Sequence, residues 1–148
     1  RCMCGRCGCW EKNASARALA EDTSAAMEAR KDNVMWNFVD GDASRINAKT
    51  AFDGMRAGDG LATDIVNNFI EYVACGITNI INIFQPEIIC IGGGVSKEGD
   101  ALLGPVRAYV DKEDFARDGM KRTQIVTAQL RNDAGIVGAA SLGKQKTV

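Results

Sequence analysis

Four cysteines fall within eight residues at the start of the chain, Cys2, Cys4, Cys7 and Cys9, in the run Cys2-Met3-Cys4-Gly5-Arg6-Cys7-Gly8-Cys9-Trp10-Glu11. Soft thiolates on a tight loop suit tetrahedral zinc, and the interspersed glycines let the chain wrap a metal through backbone angles that other residues avoid. A zinc ribbon would need a second cysteine pair downstream, and there is none. Three readings of the cluster stay open: a reduced cysteine-rich loop, a site closed by four local thiolates, or three local thiolates completed by a ligand outside the chain. Neighbouring cysteines this close rarely satisfy disulfide geometry with one another. The other two, Cys75 and Cys90, stand alone in apolar stretches and are expected to be inert core residues. The sequence contains no histidine, so no imidazole from this chain can act as base or ligand. A second feature with chemical capacity is Gly92-Gly93-Gly94, where the missing Cβ atoms would let the backbone lie against a flat ring or a phosphate. It lacks the Gly-Lys-Ser/Thr ending of a P-loop and the spacing of the dinucleotide fingerprint. A tight strand-to-helix turn would explain it equally well.

These residues must be held by elements that the residue pattern outlines. Asn13 to Lys31 is alanine-rich, free of Gly and Pro, and predicts a helix with Ser15 capping near its start. Ser44 to Arg56 predicts a second helix, with an apolar stripe at Ile46, Ala48, Ala51, Phe52 and Met55. From Asp59 to Phe84, Leu61, Ile65, Phe69, Val73, Ile77 and Ile80-Ile81 recur at helical spacing, and Val66, Ile70 and Ala74 widen the stripe. That predicts a long helix buried on more than one side and stopped by Pro86. Glu87 to Ile91 predicts a buried strand running into the glycines. A helix over about 97–110, interrupted at Gly104-Pro105, and a second strand, Gln124 to Leu130, complete a strand-helix-strand unit that calls for parallel pairing. The last predicted element is a helix of small residues, Asp133 to Leu142, followed by a solvated tail at 144–146.

The 148 residues are 46% apolar, which suits one domain able to bury roughly two-thirds of its unfolded surface. Eighteen basic against nineteen acidic residues leave a net charge of −1, and this argues against a nucleic-acid partner, which would draw on a basic excess. The most apolar stretch, 65–84, carries Asn67, Asn68, Glu71, Asn79 and Asn82 and makes a poor membrane span. The opening residues Arg1-Cys2-Met3-Cys4 do not read as the apolar region of a signal peptide. The expectation is a cytoplasmic domain without membrane or nucleic-acid partners. The absence of an initiator Met, with the chain opening inside its densest motif, leads us to expect a piece of a longer protein.

Cys2, Cys4, Gly5, Gly8, Cys9 and Glu11 fill the pattern C-x-C-G-x-x-G-C-x-E, which resembles the signature of the ROK family of bacterial glucokinases, other sugar kinases and sugar-responsive repressors. The resemblance implies that Cys2, Cys4 and Cys9 bind a structural Zn²⁺ together with a histidine about ten residues upstream, that Cys7 is a variable position, and that Glu11 hydrogen-bonds sugar hydroxyls. Without it, Glu11 reads as a solvated carboxylate at a helix start. The segment 88–96 resembles the adenosine-binding segment of these kinases and of the wider actin-like ATPases, so Gly92, Gly93 and Gly94 are implied to lie beneath the adenosine of ATP. The small-residue helix resembles the closing helix of the same nucleotide domain; its plain alternative is close helix packing. The fold implied is α/β: a helix-rich C-terminal subdomain of an actin-like, ribonuclease H-like kinase, covering residues 1–148, with the N-terminal domain outside the chain. The family's phosphate loops and its general-base aspartate are missing, so no catalytic residue is assigned. The implied activity of the intact protein is Mg²⁺- and ATP-dependent phosphorylation of a hexose, glucose to glucose 6-phosphate, by a homo-oligomer, with the fragment silent alone. The alternatives are a sugar-sensing ROK repressor without kinase activity, and a zinc-dependent interaction module.

Overall fold

The computed structural model describes residues 2–115, 122–130 and 133–142. Behind the cysteine loop come two helices, α1 (Glu11–Ala14) and α2 (Ala16–Ala29). The single helix expected from Asn13 is therefore broken at Ser15. Its backbone is extended (φ −103°, ψ 159°), and its hydroxyl accepts from the Ala18 amide at 3.1 Å, a cap in place of a continuing turn. A 3-10 segment, Val34–Val39, was not foreseen; it seats Met35 and Val39 in the interior. The helix expected from Ser44 splits likewise. A 3-10 turn, Ala43–Arg45, precedes α3 (Ala48–Arg56), whose Asn47 forms a capping box with Thr50.

Helix α4 (Gly60–Phe84) is the axis of the molecule. Its 25 residues, about 37 Å at helical rise, open on an Asp59 cap and close at Gln85 in the left-handed region, just before Pro86. Ala62, Val66, Phe69, Ile70, Val73, Ala74, Ile77 and Ile81 are buried, while Asp64, Asn67, Asn68 and Glu71 face outward. Helices α1, α2, α3 and α5 all pack on it, as the widened stripe predicts. Gly54 lets α3 approach closely, because a Cβ there would sit 2.6 Å from Met35 Cγ and 2.7 Å from the Ala62 methyl. Leu19, Phe52, Val66, Leu102 and Val106 form the centre of the core.

Strand β1 (Ile88–Ile91) pairs in parallel with β2 (Gln124–Thr127), Ile88 opposite Gln124 and Ile91 opposite Thr127. Between them lie a 3-10 segment, Gly94–Glu98, and α5 (Asp100–Glu113). The break expected at Gly104-Pro105 falls instead at Gly99 (φ +57°), and α5 runs through Pro105. Gly104 and Pro105 are both exposed, and the helix there goes without the bond that the missing N–H would make to the Ala101 carbonyl. The buried strand is a further correction. Ile89 and Ile91 are half-buried against the helices, but Ile88 is 54% exposed and Cys90 is exposed, because helices cover one face of the pair only. Cys75 is exposed too, on the outward side of α4, so neither lone cysteine is a core residue. The last helix, α6 (Ala134–Leu142), starts one residue later than expected, and Ile136, Val137 and Leu142 are exposed rather than packed. The tail at 144–146 lies outside the described residues. Among the described residues no helix is long and apolar enough to cross a membrane.

Candidate functional site

The cysteine loop folds on itself through short-range bonds. The Cys2 amide donates to the Arg6 carbonyl (2.8 Å) and the Gly5 amide to the Cys2 carbonyl (2.9 Å), with Gly5 and Gly8 at φ +86° and +74°. The result brings the sulfurs of Cys2, Cys4 and Cys9 within 4.8 Å of one another, with Cys4 and Cys9 3.4 Å apart. Two thiolates on a tetrahedral zinc stand about 3.8 Å apart, given Zn–S bonds near 2.3 Å. The donor set and spacing therefore fit three vertices of such a site. Cys7 is exposed and outside this group. The thiols differ in acidity. The amide of Arg6, then the Cys9 and Cys2 thiols, hold Cys4 below the ordinary cysteine range, whereas sharing with Cys4 and Cys2 pushes Cys9 up to about 11. A metal taken up here would displace the Cys9 proton.

Cys9 also starts α1. Its carbonyl accepts from the Lys12 amide and from Asn13 Nδ2, both at 3.0 Å. Glu11 is the first residue of that one-turn helix and is exposed. Trp10 beside it turns inward, and its Nε1 donates to the Tyr72 carbonyl on α4 at 2.7 Å. Lys12 and Arg17 both reach Glu21, tying α1 to α2 and holding the Glu21 carboxyl below its usual range.

The triple glycine lies at the carboxyl end of β1, the edge at which open α/β sheets receive ligands. Gly93 needs its type, at φ +80°, and its carbonyl accepts from Ser96 Oγ at 2.7 Å. Gly94 does not have a positive φ, and a Cβ there would meet nothing within 4 Å. Nothing in this chain's packing asks for glycine at 94. Two cavities meet at these residues. One, of about 690 Å³, opens between α2, α3 and the 3-10 segment and is lined by Arg17, Asn47, Lys49, Arg56, Gly94 and Lys97 among others. The second, of about 410 Å³ and mostly apolar, is lined by Trp10, Ala14, Val73, Ile77, Ile91 and all three glycines among others. Arg56 braces the first, bonding Glu98 at 2.7 Å and Asp53 at 2.6 Å, and these two carboxylates hold its guanidinium protonated still more firmly.

The structure thus places Cys2, Cys4 and Cys9 together, and brings Gly92–Gly94 to the same cavity wall as Trp10, next to Glu11. Glu11 itself does not line that wall. Sequence reasoning missed Asn47, Lys49 and Arg56, which reach the cavity only because α3 folds back over α4. Lys97, three residues past Gly94, was within reach of a sequence argument.

A cysteine-rich loop leading into a helical layer, with a glycine turn after a parallel strand, defines a class. The match to the ROK family model runs over residues 1–146, and the chain belongs to the ROK family. It is 35% identical over 146 residues to a glucokinase from Thermotoga maritima, covering 98% of this chain and 45% of that protein. It is 30% identical over 144 residues to a putative xylose repressor from Caldicellulosiruptor, covering 95% of this chain and 35% of that protein. A solved ROK glucokinase from Streptomyces griseus, in complex with glucose and AMPPNP, superposes with a TM-score of 0.83 at 33% identity, over 97% of this chain and 46% of that one. The chain spans less than half the length of these relatives.

Proposed function

We propose that this chain is the zinc-bearing, adenosine-binding C-terminal portion of an actin-like sugar kinase, which transfers the γ-phosphoryl group of ATP to a hexose, glucose to glucose 6-phosphate. The observation that carries the reading is the meeting of two motifs on one cavity: the helix that starts with Glu11 and the Gly92–Gly94 turn. Glu11, exposed at the end of a short helix, offers a charged acceptor to sugar hydroxyls. Gly94, unexplained by internal packing, leaves its backbone open to the adenosine, and the adjoining 690 Å³ cavity is large enough for a base and ribose. Cys2, Cys4 and Cys9 would hold zinc, whose part is to fix the backbone that leads into Glu11. Bound Mg²⁺ would neutralise phosphate charge during transfer, leaving ADP and the proton of the sugar hydroxyl as the other products.

A repressor that senses sugar without phosphorylating it is the second reading, favoured by the similarity to xylose repressors. The greater identity to glucokinases and the open Gly94 support the kinase. Glucose-dependent ADP release by the whole protein decides between them. Within the kinase, replacing Glu11 with Gln should weaken sugar binding by about 1.5–3 kcal/mol, the worth of a hydrogen bond to a charged group. An unchanged sugar KM and kcat in that variant would remove Glu11 from the site.

A further inference from the structure

Gly76 sits in the interior of α4, seventeenth of its 25 residues, where glycine is about 1 kcal/mol less favourable than alanine. Its φ is not positive, so no backbone need accounts for it. Space does. A Cβ at position 76 would overlap Cε2, Cζ2 and Nε1 of the Trp10 indole, which rests on the bare backbone there. The same ring donates from Nε1 to the Tyr72 carbonyl at 2.7 Å, the carbonyl that helix geometry also offers to the Gly76 amide. Trp10 is thus held in two ways, by contact and by a directed bond, though 45% of it is exposed.

We propose that Trp10 is a positioning residue, whose seat on Gly76 sets the direction of the Glu11 carboxylate. This deepens the reading of Glu11 as a sugar contact and rests on it. Helix α1 is a single turn, too short to hold its own orientation. Trp10 has helical angles (φ −55°, ψ −44°), so its side chain and that of Glu11 leave the axis about 100° apart and turn together. With Cys9 tied into the thiol cluster on one side and the indole fixed on α4 on the other, the backbone between them cannot roll. Glu11 is thereby aimed without making a bond of its own to the helical layer. In this arrangement α4 is the template against which the cysteine motif is docked, and Gly76 is its socket.

The test uses the whole protein with its metal, labelled with 5-fluorotryptophan, and the Trp10→Phe variant identifies the Trp10 resonance by its loss. Gly76→Ala should shift that resonance and raise the sugar KM about tenfold, with the ATP KM changed less than about twofold. In a Glu11→Gln background the same substitution should add little to the sugar KM, because the seat acts through Glu11. Trp10→Phe keeps a ring on Gly76 but loses the bond to Tyr72, and should raise the sugar KM about threefold; it serves where Gly76→Ala does not fold. An unmoved resonance in Gly76→Ala overturns the seat. Equal KM effects of Gly76→Ala with and without Glu11, or an unchanged sugar KM in Trp10→Phe, overturn the positioning role. An unchanged sugar KM in Glu11→Gln alone is a different failure, that of Glu11 as a sugar contact.

Discussion

The helical layer and the sheet satisfy their side chains to very different degrees. In the layer of α2 to α5, Leu19, Phe52, Val66, Leu102 and Val106 are each 2% exposed or less, and each finds its neighbours within this chain. On the sheet and beyond it, Ile88 (54%), Phe115 (85%) and Ile136 (73%) stand in solvent, as does Phe84 (73%) at the end of α4 that leads into the sheet. Their residue types are no less apolar. On the zinc reading proposed above, the cysteine cluster would belong with the second group, because Cys2, Cys4 and Cys9 would supply three of four tetrahedral ligands. One half of the molecule therefore closes on itself while the other leaves apolar side chains in solvent, in a chain that covers 45% of its glucokinase relative from Thermotoga maritima.

The sharpest break in this contrast is at the metal. Structural zinc in small sites is worth on the order of 10 kcal/mol or more of folding free energy. Cys4→Ser in the whole protein should therefore empty the site, read as zinc per chain by mass spectrometry, and unfold the local loop. Cys7→Ser should leave the zinc content unchanged. If Cys7→Ser alone empties the site, four local thiolates close it, and the loop moves to the self-sufficient half of the comparison.

In the closed half, Phe52→Ala removes a fully buried ring between α3 and α4. We expect a loss of about 3–5 kcal/mol in urea unfolding, with the midpoint lowered and the slope retained. A loss below about 1 kcal/mol, the level of an exposed position, would mean that the helical layer is not the stable unit described here.

What could be read from the sequence follows the same division. The stripe on α4 was legible because its partners, α2, α3 and α5, are all in this chain, so periodicity and burial agree. β1 was misread as buried because an apolar, β-branched run does not say how many faces are covered, and the described helices cover one. Cys75 and Cys90 were misread for a related reason: apolar neighbours in sequence do not fix which way one residue on a helix or strand points. Ser15 was legible as a cap and opens α2, although the one-turn helix before it was not; the break at Asn47 was decided by a side-chain cap competing with helix propensity, and a residue count along the chain does not weigh that competition. Of the candidate site, the cysteine pattern and the triple glycine were local and visible. Asn47, Lys49, Arg56 and the Gly76 socket are long-range products of packing on α4, and no spacing announces them.

The smallest effect tests the open half. Ile88 is more than half exposed and pairs across the sheet with Gln124, so Ile88→Ser should change the stability of the isolated chain by less than about 1 kcal/mol. Its consequence should appear in association instead. Among the described residues the sheet has two parallel strands, one bare apolar face and no further strand on either edge, which makes a template for further pairing. We therefore expect the isolated chain to self-associate in light scattering, and Ile88→Ser to shift it toward monomer at the same concentration. In the whole protein the same substitution should be more costly than in the isolated chain, because strands or a second copy supplied from outside these 148 residues would bury position 88. A monodisperse isolated chain, or equal costs in both settings, would mean that the exposed face is a finished surface. The contrast between the halves would then be one of composition and not of missing partners.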